Sequence, residues 1–238
     1  MESSLVLALP VGVFLGSYLV GSIPWAYIIV RLVTGEDITA HGTGNVGAMN
    51  VRRSTGSWAW FVVAMVADAL KGLAPVTAAK YAVFASASVV LVPLGSIGMA
   101  YDEPVSASML LSVQAALAGA VLGHNYSLWM ALIKRGFHRT GKGLATGGGA
   151  LIAYDWRYFV IAVVVGLTVI ALTRYMMAGQ VAAAAALPAG ALALGSPDWP
   201  FALVMGLVVY AAHHRRFVGL LRGEEPRLYV NDRMGPRG

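Results

Sequence analysis

Three stretches of the chain bring glycine, amide and cationic residues together at close spacing: HGTGNVGAMNVRRSTG (His41–Gly56), KRGFHRTGKG (Lys134–Gly143) and HHRRFVGLLRGEE (His213–Glu225). Glycine-rich turns present backbone N–H groups, and Arg and Lys beside them add positive charge. That combination suits a phosphate or another oxyanion. The charges alone have a plainer use, because basic loops beside a membrane set topology and touch anionic lipids. Arg52, Lys134 and Arg135 take the plainer reading. The pattern GTGNVGAMN resists it. Topology needs only charge, whereas glycine and asparagine supply turn chemistry and amide hydrogen bonds.

Other residues could also do chemistry. Asp68 and Lys71 stand three apart, on one face of a helix. An ionisable side chain inside an apolar run is a functional hypothesis by default, and a structural ion pair near the interface explains the two equally well. GFHRTGKG has the glycine and lysine spacing of a nucleotide-binding P-loop. Gly143, however, stands where Ser or Thr must bind Mg²⁺, and no soluble strand precedes the segment, so an NTPase is rejected. His213 and His214 close an apolar run, where either a general base or an interfacial histidine touching lipid phosphate is reasonable. The adjoining Arg215 and Arg216 argue against a metal. His124, in GHNYS, is expected at a helix end as a cap or turn donor. The chain has no cysteine, which excludes disulfides, thiolate catalysis and cysteine-ligated metals.

Membrane helices must hold these stretches. Charged residues make up 12% of the chain and hydrophobic ones 58%, against about 25% charged in soluble domains. Apolar runs of roughly 18 residues or more recur along the length. Composition therefore predicts an all-α polytopic membrane protein, one domain over residues 1–226, with a charged tail at 227–238 that is expected to lack order. Leu5–Val33 is too long for a signal-peptide core and lacks a basic leader, so it reads as a span. Pro10 and Pro24 are its expected bend points. Further spans are expected at Trp58–Ala79, Ser106–Ile133, Leu144–Ala153 (short), Tyr158–Leu172, Met176–Leu194 and Phe201–Ala212, about seven in all, with short or re-entrant pieces among them. Nine of the 17 Lys and Arg residues fall in the three polar stretches. The positive-inside rule sends all three to the cytoplasm, with the N-terminus outside and the C-terminus inside. Parity then makes Tyr81–Ala100 an external hairpin or interfacial piece. The net charge of +6 is read as topology, and no nucleic-acid partner is expected.

Taken together, the motifs resemble the PlsY family, the bacterial acyl-phosphate-dependent glycerol-3-phosphate acyltransferases. The family pattern GSGNxGATNxxR followed by DxxKG appears as GTGNVGAMNVRR (Gly42–Arg53) and DALKG (Asp68–Gly72). GHxFP followed by GGKGVAT appears as GHNYS (Gly123–Ser127) and TGKGLAT (Thr140–Thr146). GSIP (Gly21–Pro24) and TRY (Thr173–Tyr175) are similar to further family signatures, and HRxNIxRLLxGxE aligns with His213–Glu225. The resemblance spans nearly the whole chain in order and spacing.

It implies transfer of an acyl group from acyl phosphate to the sn-1 hydroxyl of glycerol 3-phosphate, at the cytoplasmic face of the cell membrane, giving lysophosphatidate and phosphate. It implies no cofactor and no metal, membrane lipids as surroundings, and contact with a soluble enzyme that makes acyl phosphate. Carried over residue by residue, Arg53 and Lys142 bind phosphates, assisted by Thr43, Gly44, Gly47 and Gly143. Asn45 and Asn50 order the loop or orient the glycerol, and Lys71, Arg174 and Arg216 join the substrate-binding set. His213 acts on the attacking hydroxyl or holds phosphate, with Glu225 as its orienting partner. Asp68, His124 and Asn125 orient the others. The chain departs from the pattern at Thr43, Met49, Ser127, Met177, His214, Arg216 and Gly219. Met177 and Arg216 replace a serine and an asparagine, removing hydrogen bonds worth about 1–3 kcal/mol each when charge-assisted. Arg216 is expected to compensate by placing charge where an amide stood. A different polyol phosphate acceptor and a non-catalytic or transporting scaffold stay open as alternatives. No internal repeat of the transporter kind is evident.

Overall fold

The computed structural model describes residues 2–86, 107–225 and 227. Among these residues the secondary structure is helical throughout, and the chain forms two compact units, residues 1–156 and 157–238.

In the first unit, α1 (Glu2–Gly21) and α2 (Trp25–Thr34) form one apolar stretch broken at Ser22–Pro24. The break falls at Pro24, whose ring cannot donate to the preceding turn, while Pro10 lies inside α1. A 3-10 turn (Ile38–Ala40) and α3 (Ala48–Thr55) follow. Next come α4 (Trp58–Ser86), α5 (Ala107–Asn125), the short α6 (Leu128–Lys134) and the start of α7 (Leu144–Thr173). The expected single span Ser106–Ile133 is therefore two helices, interrupted where Ser127 caps α6 by accepting from Met130 N at 3.1 Å. Residues 81–86 continue α4 instead of opening a separate hairpin, and the rest of Tyr81–Ala100 lies outside the described residues.

Small residues let these helices touch through their backbones, the usual means of helix association in lipid. A side chain at Gly21 or Gly123 would overlap the backbone of α5 or α1 respectively. Gly72 of α4 lies on the Thr146 carbonyl of α7, and Gly149 of α7 lies on the Ala69 carbonyl of α4.

The second unit holds the rest of α7, then α8 (Met176–Ala193) and α9 (Trp199–Leu221). Gly179 packs on Gly166 and Ile170 of α7, and Gly206 of α9 on Ala184 of α8. The break expected between Leu144–Ala153 and Tyr158–Leu172 is present: α7 consists of two helical pieces joined across a kink. Its interruption, at YDWR, is the single extended residue Asp155 (φ −157°, ψ 111°).

Five helical stretches among the described residues are long and apolar enough to span a bilayer: 8–34, 58–82, 109–134, 144–173 and 176–193. The expectation of about seven counted the two pieces of α7 on either side of Asp155 separately and included α9. That last helix has 23 residues, but His213, His214, Arg215 and Arg216 dilute the apolar character of its second half. Of the predicted tail, only Arg227 is described: its Nε donates to the Tyr175 hydroxyl at 3.2 Å.

Candidate active site

The first polar stretch is a folded loop. Ile38, Val46 and Val51 are all but fully buried, in a cluster with Ala26, Ile29 and Val30 of α2, Ala64 of α4 and Met130 of α6. These apolar anchors fix the loop so that its polar residues hold their places. Asn50 is buried and donates through Nδ2 to the Ile38 and His41 carbonyls, both at 3.0 Å. Two amide hydrogens thus tie the start of α3 to the turn before it. Gly42 (φ +54°) and Gly44 (φ +68°) adopt left-handed backbone, which glycine reaches without strain. Gly42 also lies against Asn50 Oδ1 and the Arg53 side chain, leaving no room for a Cβ. Thr43 is exposed and Asn45 half-buried within this turn.

The second stretch is pinned to the end of α5. The Asn125 carbonyl accepts from Thr140 N at 2.8 Å and from Gly141 N at 3.4 Å, while Thr140 Oγ1 donates to the His124 carbonyl at 2.9 Å. Gly143 (φ +73°) sits beside Asn125 Oδ1. Lys142 is half-buried between these two glycines. The two stretches then meet: Val46 N donates to the Thr140 carbonyl at 2.7 Å. One backbone hydrogen bond therefore joins the loop carrying Thr43, Gly44, Asn45 and Gly47 to the loop carrying Lys142.

Beneath them, Asp68 and Lys71 pair at 2.9 Å, both side chains almost fully buried. Lys71 also donates to the Ile23 carbonyl at 2.8 Å. The sequence reading set Lys71 among substrate ligands. Its ammonium instead faces the helix break and Asp68, donating to an Ile23 carbonyl that also accepts from Trp25 N at 3.1 Å. The cations read as topological also have local partners. Arg52 stacks over the Trp58 ring at 3.8 Å, Lys134 pairs with Asp37, and Arg135 ends α6 in left-handed backbone.

In the second unit, His213 is buried in α9, with Nδ1 2.8 Å from the Val209 carbonyl. Arg216 donates from Nε and Nη2 to the two carboxylate oxygens of Glu225 at 2.9 and 2.5 Å. Glu225, expected to orient His213, is instead matched bidentately by the guanidinium, the better geometric partner for a carboxylate. Arg174 is exposed, with φ +62° at the end of α7. Met177, where a serine was expected, is buried.

A family model described as "Glycerol-3-phosphate acyltransferase" matches residues 11–223. The chain belongs to that family. A glycerol-3-phosphate acyltransferase of Synechococcus sp. (strain JA-3-3Ab) is 37% identical over 216 residues, covering 90% of this chain and 91% of the relative. The Rhodospirillum rubrum glycerol-3-phosphate acyltransferase is 35% identical over 237 residues, with 98% of each chain covered. The crystal structure of PlsY (YgiH), an integral membrane glycerol 3-phosphate acyltransferase, in its glycerol 3-phosphate form superposes with a TM-score of 0.71 at 26% identity, covering 93% of this chain and 96% of that one. Its lysophosphatidic acid form gives 0.70. This member of the glycerol-3-phosphate acyltransferase family is thus an all-helical integral membrane acyltransferase. A non-catalytic or transporting scaffold is not favoured.

The sequence reading missed the role of Asp37. It caps the 3-10 turn through Thr39 N at 2.9 Å and clamps it to Lys134. An Asx residue two positions before Thr39 is the local signal that could have found the first of these contacts.

Proposed function

We infer that the protein transfers a fatty acyl group from acyl phosphate to the sn-1 hydroxyl of glycerol 3-phosphate at the cytoplasmic face of a bacterial cell membrane. The glycerol hydroxyl oxygen attacks the acyl carbonyl carbon, the bond from that carbon to the phosphate oxygen breaks, and the hydroxyl proton leaves with the phosphate. The products are lysophosphatidate and inorganic phosphate. Acyl phosphate is already activated, so holding two phosphates and one hydroxyl in register supplies most of the rate enhancement.

The observation that carries this reading is the Val46 N to Thr140 O bond, which makes one continuous surface of the first two polar loops. On that surface Arg53 and Lys142 hold phosphate oxygens. Thr43 and the backbone at Gly44, Gly47 and Gly143 add donors, and Asn45 orients the glycerol. Asn50 holds the loop from within. From their motif positions alone, His213 is assigned to the attacking hydroxyl or its phosphate, and Arg174 and Arg216 to substrate binding. A soluble enzyme that makes acyl phosphate supplies the donor.

The test is release of inorganic phosphate by purified protein given palmitoyl phosphate and glycerol 3-phosphate. Turnover is expected, and Lys142→Ala should lower kcat/KM at least tenfold, the effect of one charge-assisted contact at about 1.4 kcal/mol per decade. No release by folded protein would remove the reading.

A further inference from the structure

The buried Asp68–Lys71 pair takes no part in the reaction as written, yet charges inside a membrane-spanning helix are costly to desolvate and seldom lack a task. Their contacts lead in one direction. Lys71 Nζ reaches the Ile23 carbonyl and Asp68 Oδ1. His124 Nδ1 stands 3.7 Å from the same Asp68 oxygen, beyond hydrogen-bond length but within coulombic reach. On the far side of the imidazole lies Gly141, so close that a Cβ there would overlap Nε2. The chain of contacts therefore starts at the α1–α2 break, crosses α4 and the end of α5, and finishes one residue from Lys142. The backbone follows the same route. The carbonyls of His124 and Asn125 are the acceptors that hold Thr140 and Gly141.

We propose that Asp68, Lys71 and His124 are positioning residues that set the Thr140–Lys142 loop, Lys71 acting through Asp68 and His124 and not on substrate. The consequence for substrate rests on the reading of Lys142 as a phosphate ligand given above. The geometry supplies the reason. The backbone N–H groups of Thr140 and Gly141 and the Thr140 hydroxyl all bond to carbonyls at the end of α5, so the loop's shape is borrowed from the helix end it sits on. Asp68 bears on that end through the carboxylate oxygen that stands 3.7 Å from His124 Nδ1.

A charge cycle tests this. Lys71→Met leaves a buried carboxylate unmatched, Asp68→Asn an unmatched ammonium, and Asp68→Asn/Lys71→Met neither. Two readouts are taken on each full-length protein: kcat/KM for phosphate release, and amide hydrogen exchange of the segment spanning residues 139–147. Each single variant should lose at least tenfold in kcat/KM and exchange at least tenfold faster in that segment. The double variant should recover to within about threefold of the parent on both counts. His124→Leu, which leaves the ion pair intact, should raise the KM for a phosphate-bearing substrate and speed the same exchange, with the thermal midpoint near that of the parent. It serves as the arm to read if the singles fail to fold. The proposal is overturned if Lys71→Met loses turnover with exchange at 139–147 unchanged, if the double variant does no better than Lys71→Met, or if His124→Leu leaves both KM and exchange as they were. An inactive parent whose exchange follows the cycle would count against the reaction and leave the positioning role standing.

Discussion

Asp37 illustrates how one side chain outside the spans stabilises the first loop. Burial raises its carboxyl, but hydrogen bonds from Lys134 and Thr39 outweigh that and hold the pKa at about 2, below the ordinary 3.8. A carboxylate with a depressed folded-state pKa contributes stability above its unfolded pKa and loses it as pH falls toward the folded value. The contribution is therefore complete above about pH 4 and lost between there and about pH 2. With the side chain 31% exposed, solvent screening limits it to about 1 kcal/mol. Asp37→Asn should lower the thermal midpoint at pH 7, with the deficit shrinking as the solution is acidified from pH 4 toward pH 2. A deficit that stays constant over that range would remove the ion pair from the account. Asn50 acts at the same scale. Its motif position implied loop ordering or glycerol orientation, and its two bonds to the Ile38 and His41 carbonyls are bonds within the loop.

At the scale of elements, glycine sets how closely helices approach. α4 and α7 touch through the reciprocal contacts of Gly72 on the Thr146 carbonyl and Gly149 on the Ala69 carbonyl. A methyl group at either position must push the two backbones apart. Overpacking of this kind costs about 1–3 kcal/mol. Gly149→Ala should therefore lower the thermal midpoint of the detergent-solubilised protein and reduce phosphate release, since α7 begins immediately after the Lys142 loop. Gly12 of α1, with nothing within 4 Å of an added Cβ, is the control; Gly12→Ala should leave both quantities unchanged. Equal effects at the two positions would show that helix propensity, not backbone approach, decides the outcome.

At the scale of the whole molecule, the charge distribution predicts an orientation for the chain. Basic residues concentrate in the three polar stretches, so these should face the cytoplasm and the N-terminus the outside. The chain has no cysteine, which makes single-cysteine labelling direct. A cysteine at Arg139 should be shielded from an impermeant thiol reagent in intact cells and react after the membrane is opened. One at Ser196 should react in intact cells, because the two pieces of α7 on either side of Asp155 and then α8 make three crossings from Arg139. The opposite pattern would invert the topology and place the proposed site on the outer face.

How much of this could be read before the fold was known divides along a physical line. Composition and the lengths of the apolar runs alone require membrane helices, because backbone polar groups in hydrocarbon must bond within their own segment. Motif order and spacing carry the family, because glycine, asparagine and cation at fixed offsets reflect local turn geometry, a short-range property. The helix breaks were legible in part: Pro24, YDWR and the helix end at GHNYS announced them, whereas the bond from Ser127 Oγ to the Ser22 carbonyl at 2.5 Å, formed across 105 residues of sequence, was not legible. Pairing choices were not legible. Lys71 facing the Ile23 carbonyl, Glu225 facing Arg216 and Val46 bonded to Thr140 join residues whose separation spacing cannot encode. Each partner is chosen by which donor and acceptor the packed backbone brings within reach, and that is known only once the helices have docked.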